Sequence, residues 1–321
     1  VNNCAAALVL ALKAFVREGR DEVVVSRGEL VEIGGGFRVP EILAASGAKL
    51  REVGTTNRTR LADYERALGP ATALLLKVHR SNFQIEGFTE EASLAELAGL
   101  AARGGVPLVH DLGSGAVMDT AALAPIEHEP TPAESVQAGT GLVCFSGDKL
   151  LGGPQSGILA GRAEWVARVK DEPFFRAVRC DKLILTVLQE AATAYLDARA
   201  DPQASPAPVV ALLRLPVEAL RARAEALRTA LAGALAGIGL EVSASTARTG
   251  GGTMPGAALP SVTLDLVPGP GGPGPDAIAA RLREADPPVL GYAAPGRYRL
   301  DLRTVFPAQD PALARALAAL G

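Results

Sequence analysis

Thr72-Ala73-Leu74-Leu75-Leu76-Lys77-Val78-His79 is the stretch that decides the fold. Its unbroken apolar run suits a strand covered on both faces, as in a mostly parallel sheet, rather than an alternating strand with one wet side. Similar runs recur on either side of it. Strands are predicted at residues 22–26, 49–54, 107–112, 142–147 and 157–161, with helical patterns between them at 41–46, 61–68, 90–103 and 132–138. Residues 5–16 form a further helix-like run at the start. Strand–helix alternation of this kind predicts an α/β layered domain with ligands at the carboxyl ends of the strands.

From about Asp171 the pattern changes. A long helix over 181–200 leads into a proline-rich exit linker, 201–208. Beyond it, helices at 217–238, 276–284 and 310–320 mix with strands at 241–245, 259–267 and 297–302. The expectation is a large domain over 1–200 and a smaller α+β domain over 201–321. Gly250-Gly251-Gly252 and residues 268–275 are expected to be surface loops.

Composition narrows the function classes. The chain has 321 residues, 48% hydrophobic, with a formal charge of −3. That length is ample for a large core, and the slightly acidic total offers no global attraction to nucleic acid. Three cysteines, Cys4, Cys144 and Cys180, are too scattered for a disulfide framework or a metal cluster. No two of the three histidines have a metal-ligand spacing. A cytoplasmic protein without a metal is expected. No apolar stretch is long enough to span a bilayer. Residue 1 is Val, and Val1-Asn2-Asn3 runs straight into a helical pattern, which suggests a chain beginning inside a larger protein.

Chemistry concentrates at the predicted strand ends. Ser146-Gly147-Asp148-Lys149 follows an apolar strand and precedes the turn Gly152-Gly153-Pro154. Small flanking residues leave room for a planar ring, and a partly buried lysine can hold pyridoxal phosphate as a Schiff base. A surface lysine in a glycine-rich loop fits that segment equally well. Asp111, closing the strand before Leu112-Gly113-Ser114-Gly115, shifts the balance, because a carboxylate there can pair with the cofactor's protonated pyridine nitrogen. Its alternative is a helix cap. Asn82, after the Thr72–His79 run, is a candidate for the phenolic oxygen or an ordinary turn residue. Ser146, together with Asn2 and Asn3 at a helix start, suits the phosphate. Gly152 and Gly153 are candidates to bring backbone amides to it from a neighbouring subunit, or form a plain turn. Arg176 and Arg179 form an anion-gripping pair or a solvated basic face, and Arg27 is a weaker anion candidate. His79 and His110 are placed to line the pocket, and His128 is expected at the surface.

With these residues in view, the chain resembles the bacterial L-seryl-tRNA(Sec) selenium transferases, the selenocysteine synthases, over nearly its whole length. The likeness is carried by residues 23–35, Glu52-Val53-Gly54-Thr55-Thr56-Asn57-Arg58-Thr59, Leu76-Lys77-Val78-His79, Asp111-Leu112-Gly113-Ser114-Gly115, residues 145–153 and Asp301-Leu302-Arg303. It implies a three-layer fold-type I pyridoxal phosphate transferase with a seven-stranded large domain and a small C-terminal domain. It also implies Lys149 as the cofactor lysine, Asp111 as the partner of the pyridine nitrogen, and Arg176 and Arg179 as ligands of selenophosphate. A ring-shaped decamer built from five dimers is implied too, with active sites at subunit interfaces.

The expected reaction converts seryl-tRNA(Sec) to selenocysteinyl-tRNA(Sec). Lys149 acts as general base, the seryl hydroxyl leaves as water, and selenium adds at the β-carbon. Two departures stand out. The family's N-terminal tRNA-engaging domain has no counterpart here, and Tyr292 stands where the family leads one to expect arginine, with Arg297 or Arg299 as possible replacements. They leave two rivals open: an ammonia lyase acting on an amino-sugar phosphate, and a non-catalytic homologue.

Overall fold

The strand around Leu74–Leu76 lies inside a six-stranded sheet, flanked on both sides. The computed structural model describes residues 1–200 and 207–321. In chain order the sheet strands are β1 (Glu22–Ser26), β2 (Lys49–Val53), β3 (Thr72–Val78), β4 (Leu108–Gly113), β5 (Leu142–Ser146) and β6 (Gly157–Gly161). Their lateral order is β6-β5-β4-β3-β1-β2, parallel throughout except that β6 runs antiparallel to β5. The sheet has six strands among the described residues, not the seven that the resemblance implied. Residues 32–38 form a separate two-stranded ribbon instead of joining it.

Period-two alternation sorts the strands' side chains onto two faces. Val23, Val25, Leu74, Leu76, Val78, Val109, Leu142 and Cys144 pack against α1 (Cys4–Phe15), α2 (Val39–Ala45) and α6 (Ala163–Asp171). Val24, Leu75 and Leu108 face α3 (Leu61–Ala67) and α4 (Leu94–Gly104) on the other side. A fifth helix, α5 (Pro132–Gln137), precedes β5. Helix–sheet–helix layering follows because a sheet apolar on both faces must be covered twice.

Helix starts follow their caps. Asn3 caps α1 by accepting from the Ala6 amide at 2.8 Å. Ser93 and Glu96 form a capping box that starts α4 at Leu94, not at residue 90, and Gly105 ends it in the left-handed conformation at φ 60°. Glu90–Glu91 instead pairs with Arg58–Thr59 in a short parallel ribbon. Helix α7 (Lys182–Ala200) matches the expected long helix, while residues 201–206 of the expected linker lie outside the described residues. No helix among the described residues is long and apolar enough to cross a membrane.

The chain divides into two compact units. One comprises Val1–Ala122, Glu127–Val209 and Thr249–Ala257; the other Leu123–Ile126, Val210–Arg248 and Ala258–Gly321. The second unit contains an antiparallel sheet of β7 (Ile238–Ala247), β8 (Leu259–Pro268), β9 (Tyr292–Ala294) and β10 (Arg297–Asp301), in the order β7-β8-β10-β9. Its core joins that sheet to α8 (Val217–Ala230), α9 (Pro275–Arg283) and α10 (Asp310–Ala318). Gly250 and Gly251 are exposed loop residues, and Gly252 beside them is half-buried. Thr249–Ala257 belongs to the large unit, with Thr253 and Met254 buried.

Candidate active site

The carboxyl ends of β3, β4 and β5 open onto a cavity of about 430 Å³. Parallel strands end on the same side, so Val78, Asp111 and Ser146 reach it together with the residues that follow them. Lys149 enters from the turn after β5, and Asn3, Cys4 and Ala5 enter from the first turn of α1.

Asp111 occupies the sheet face covered by α1. In register it stands beside Val78 of β3 and Cys144 of β5, and the β4–β5 pairing slips between Asp111 and Gly113. The carboxylate is only 7% exposed. It accepts hydrogen bonds from two thiols, Cys4 Sγ at 3.5 Å and Cys144 Sγ at 3.6 Å, and has no ion-pair partner among the described residues. Burial pushes its pKa up, against the two thiol bonds and the charge of Lys149. A carboxylate so placed is stabilised by a cation brought into the cavity.

Lys149 Nζ donates to the Gly252 carbonyl at 3.2 Å. Gly252 has φ 78°, and a Cβ there would stand 2.9 Å from Nζ, so the lysine reaches its place only past a bare backbone. Among residues singled out in the sequence, Lys149, Asp111, Ser146, Asn3 and His79 line this one cavity. The Asn3 side chain is spent on its cap bond. The Cys4 and Ala5 amides lie in the first turn of α1, where N–H groups have no acceptor within the helix.

Other candidates lie elsewhere. Asn82 is exposed, and its side chain donates to the Glu32 carbonyl at 2.6 Å; Ser81 lines the cavity instead. Asn2 is exposed, with its backbone amide bonded to the Val178 carbonyl. The amides of Gly152 and Gly153 are used inside their own turn, on the carbonyls of Lys149 and Gly147, so neither is available to a phosphate here. Arg27 pairs with Glu52 at 2.8 Å. Arg176 and Arg179 are exposed and line no part of the cavity. In the second unit, Arg297 and Arg299 both bind the buried Asp265, so neither is a free replacement for an arginine at Tyr292. Tyr292 itself shares a hydrogen bond with Ser245.

Of the two histidines expected to line the pocket, only His79 does. Its Nε2 is 2.9 Å from the buried Glu129 carboxylate. His110 points to the opposite sheet face, bonded to Ser135, and burial lowers its pKa to about 3, which keeps it neutral. It lines a second cavity of about 610 Å³ that shares Val78 and His79 with the first. Beneath the end of β3, Glu29 accepts from Lys77 Nζ at 2.7 Å and from the Val78 amide at 2.9 Å. Burial works against the Lys77 charge, but Glu29 and Glu91 outweigh it and hold its pKa above the ordinary value. Glu29 is therefore a strut for β3 and not a group facing the cavity. Cys4 carried no signal in the sequence beyond following the Asn3 cap.

A layered α/β unit with a lysine and an unpaired buried aspartate at its strand ends, joined to an antiparallel α+β unit, defines a fold shared with known enzymes. D-glucosaminate-6-phosphate ammonia-lyase is similar in structure, with a TM-score of 0.64 at 20% identity, covering 99% of this chain and 79% of that one. Residues 1–306 match the family model described as L-seryl-tRNA selenium transferase, and the chain belongs to that family. It is 47% identical to the L-seryl-tRNA(Sec) selenium transferase of Solidesulfovibrio magneticus over 308 residues, covering 95% of this chain and 64% of the relative. Its identity to the Moorella thermoacetica enzyme is also 47%, over 320 residues, covering 99% and 66%. The chain thus spans just under two thirds of the length of these curated relatives.

Proposed function

We propose that this chain is the catalytic core of an enzyme that converts seryl-tRNA(Sec) to selenocysteinyl-tRNA(Sec) in the cytoplasm, using selenophosphate and pyridoxal phosphate. The observation that carries the reading is the buried Asp111 carboxylate without an ion-pair partner, in one cavity with Lys149. These residues fit the cofactor. Asp111 would pair with the pyridine nitrogen, and that positive charge offsets the desolvation that otherwise raises the carboxyl's pKa. Lys149 would hold the aldehyde carbon covalently, and Ser146 with the Cys4 and Ala5 amides would take the phosphate. Bound there, pyridoxal phosphate supplies an electron sink for charge released at the seryl α-carbon.

This chain's own residues supply the rest. Lys149 Nζ, once displaced by the seryl amine, takes the α-proton, and the seryl hydroxyl leaves as water. The Gly252 carbonyl, 3.2 Å from Nζ, orients the lysine between those roles. Glu129 fixes the His79 ring in the cavity wall, and the Glu29–Lys77 pair fixes the strand end that carries it. Selenophosphate adds its selenium at the β-carbon, a proton returns to the α-carbon, and water cleaves the selenium–phosphorus bond to release phosphate. Arg176 and Arg179 are exposed away from this cavity, so their role as its anion ligands requires a site completed by another subunit of a homo-oligomer.

The test uses the whole protein with seryl-tRNA(Sec), selenophosphate and pyridoxal phosphate, scored for selenocysteinyl-tRNA. Product is expected from the unaltered protein and not from Lys149→Ala. Borohydride trapping should place the cofactor on Lys149. Absence of product, or attachment at another lysine, refutes the reading.

A further inference from the structure

Two of the three cysteines converge on Asp111, and nothing in the proposed reaction uses their sulfurs. Cys144 lies beside Asp111 in register across β4 and β5, and Cys4 comes from the first turn of α1. Their Sγ atoms are 3.6 and 3.5 Å from the same carboxylate oxygen, and the three ligand atoms lie within 4.8 Å of one another. A tetrahedral zinc ion with bonds of about 2.3 Å to sulfur and about 2.0 Å to oxygen separates those two ligand atoms by about 3.5 Å. Both sulfur–oxygen separations already match that spacing, and the two sulfurs, carried by a strand and a helix, lie within 4.8 Å of each other.

We propose that Cys4, Cys144 and Asp111 form a three-ligand site for a thiophilic divalent cation, zinc or cadmium, in the cofactor-free protein. Two sulfurs and one carboxylate favour zinc or cadmium over magnesium or calcium, which take oxygen ligands. Cys4 and Asp111 line the cavity, so a water from it fills the fourth position. Binding replaces the two thiol protons, which go to solvent, and two thiolates with a carboxylate then face a doubly positive ion. The site rests on geometry alone. A second consequence rests on the reading of Asp111 given above: cation and cofactor exclude each other, because both require that carboxylate.

The probe is cadmium, titrated into the whole protein after its cofactor has been removed with hydroxylamine and dialysis. The expected result is a thiolate-to-cadmium charge-transfer band in the ultraviolet that saturates at one ion per chain. Cys4→Ser and Cys144→Ser should each weaken cadmium binding at least about tenfold. Cys180→Ser should not change it, since that thiol donates to the Val1 carbonyl. The two ligand substitutions sit on different elements, so a folding defect in one, read by circular dichroism, leaves the other informative. No band, or an unchanged band in both variants, overturns the site. Preloading with pyridoxal phosphate should abolish the band. A band that persists leaves the site standing and overturns the pairing of Asp111 with the cofactor.

Discussion

Glu29→Gln isolates the buried pair that supports the active-site end of β3. Glu29 is 2% exposed and accepts from both Lys77 Nζ and the Val78 amide. Glutamine keeps an oxygen for the amide but withdraws the charge facing Lys77. Removing one partner of a buried ion pair costs about 3–5 kcal/mol. Here Lys77 keeps Glu91 at 3.1 Å and the Ala92 carbonyl at 3.3 Å, with Glu91 half exposed, so the loss falls at or below the bottom of that range. We expect about 2–3 kcal/mol, which at a urea slope of about 3 kcal/mol per molar moves the midpoint down by roughly 0.7–1 M. Trp165, the only tryptophan, packs edge-on against Phe15 within the large unit, so its fluorescence reports that unit's transition. Lys77→Met in the Glu29→Gln background should recover at least about 1 kcal/mol, because the stranded charge is gone. A midpoint shift below about 0.3 M, or strictly additive single variants, would refute the reasoning.

Asp111→Asn should weaken pyridoxal phosphate binding by about 10- to 100-fold, the loss of one charged hydrogen bond, measured by equilibrium dialysis of the whole protein; unchanged affinity contradicts the assignment. Gly252→Ala meets both the strain of φ 78° and the Lys149 amine 2.9 Å from the new methyl group. It should slow borohydride-trappable attachment of the cofactor while the far-ultraviolet circular dichroism spectrum stays native. His128 has its pKa raised, first by its hydrogen bond to Asp119 and then by Glu134. Its stabilising contribution should be complete below pH 6.5 and disappear as pH rises through the higher folded value. An NMR titration of His128 with a midpoint at or below 6.5 contradicts this.

Much of the large unit was legible because its signals are local. The apolar runs place β1, β3 and β5 within a residue of their observed ends, since a strand covered on both faces needs no partner to be recognised. Ser93-Leu94-Ala95-Glu96 spells a capping box, which marks the start of α4 more reliably than the apolar period that put it at residue 90. Glu90–Glu91 escapes any local reading, because its partner, Arg58–Thr59, lies about thirty residues away. Trp165, Val166 and Val169 carry a helical period for α6, an element that the expected helices do not include.

The sequence by itself determined which chemistry sits at which strand end: a lysine after β5, an aspartate at the end of β4, and a capped helix start. Strand ends and caps are set by neighbours in the chain. Tertiary structure decided which of those groups meet. The lateral order β5-β4-β3 and its register brought Cys144 beside Asp111, turned Asn82 outward onto Glu32, and let the 249–257 segment place a bare glycine against Lys149. Such choices depend on contacts between residues as many as 103 positions apart, which no local pattern encodes.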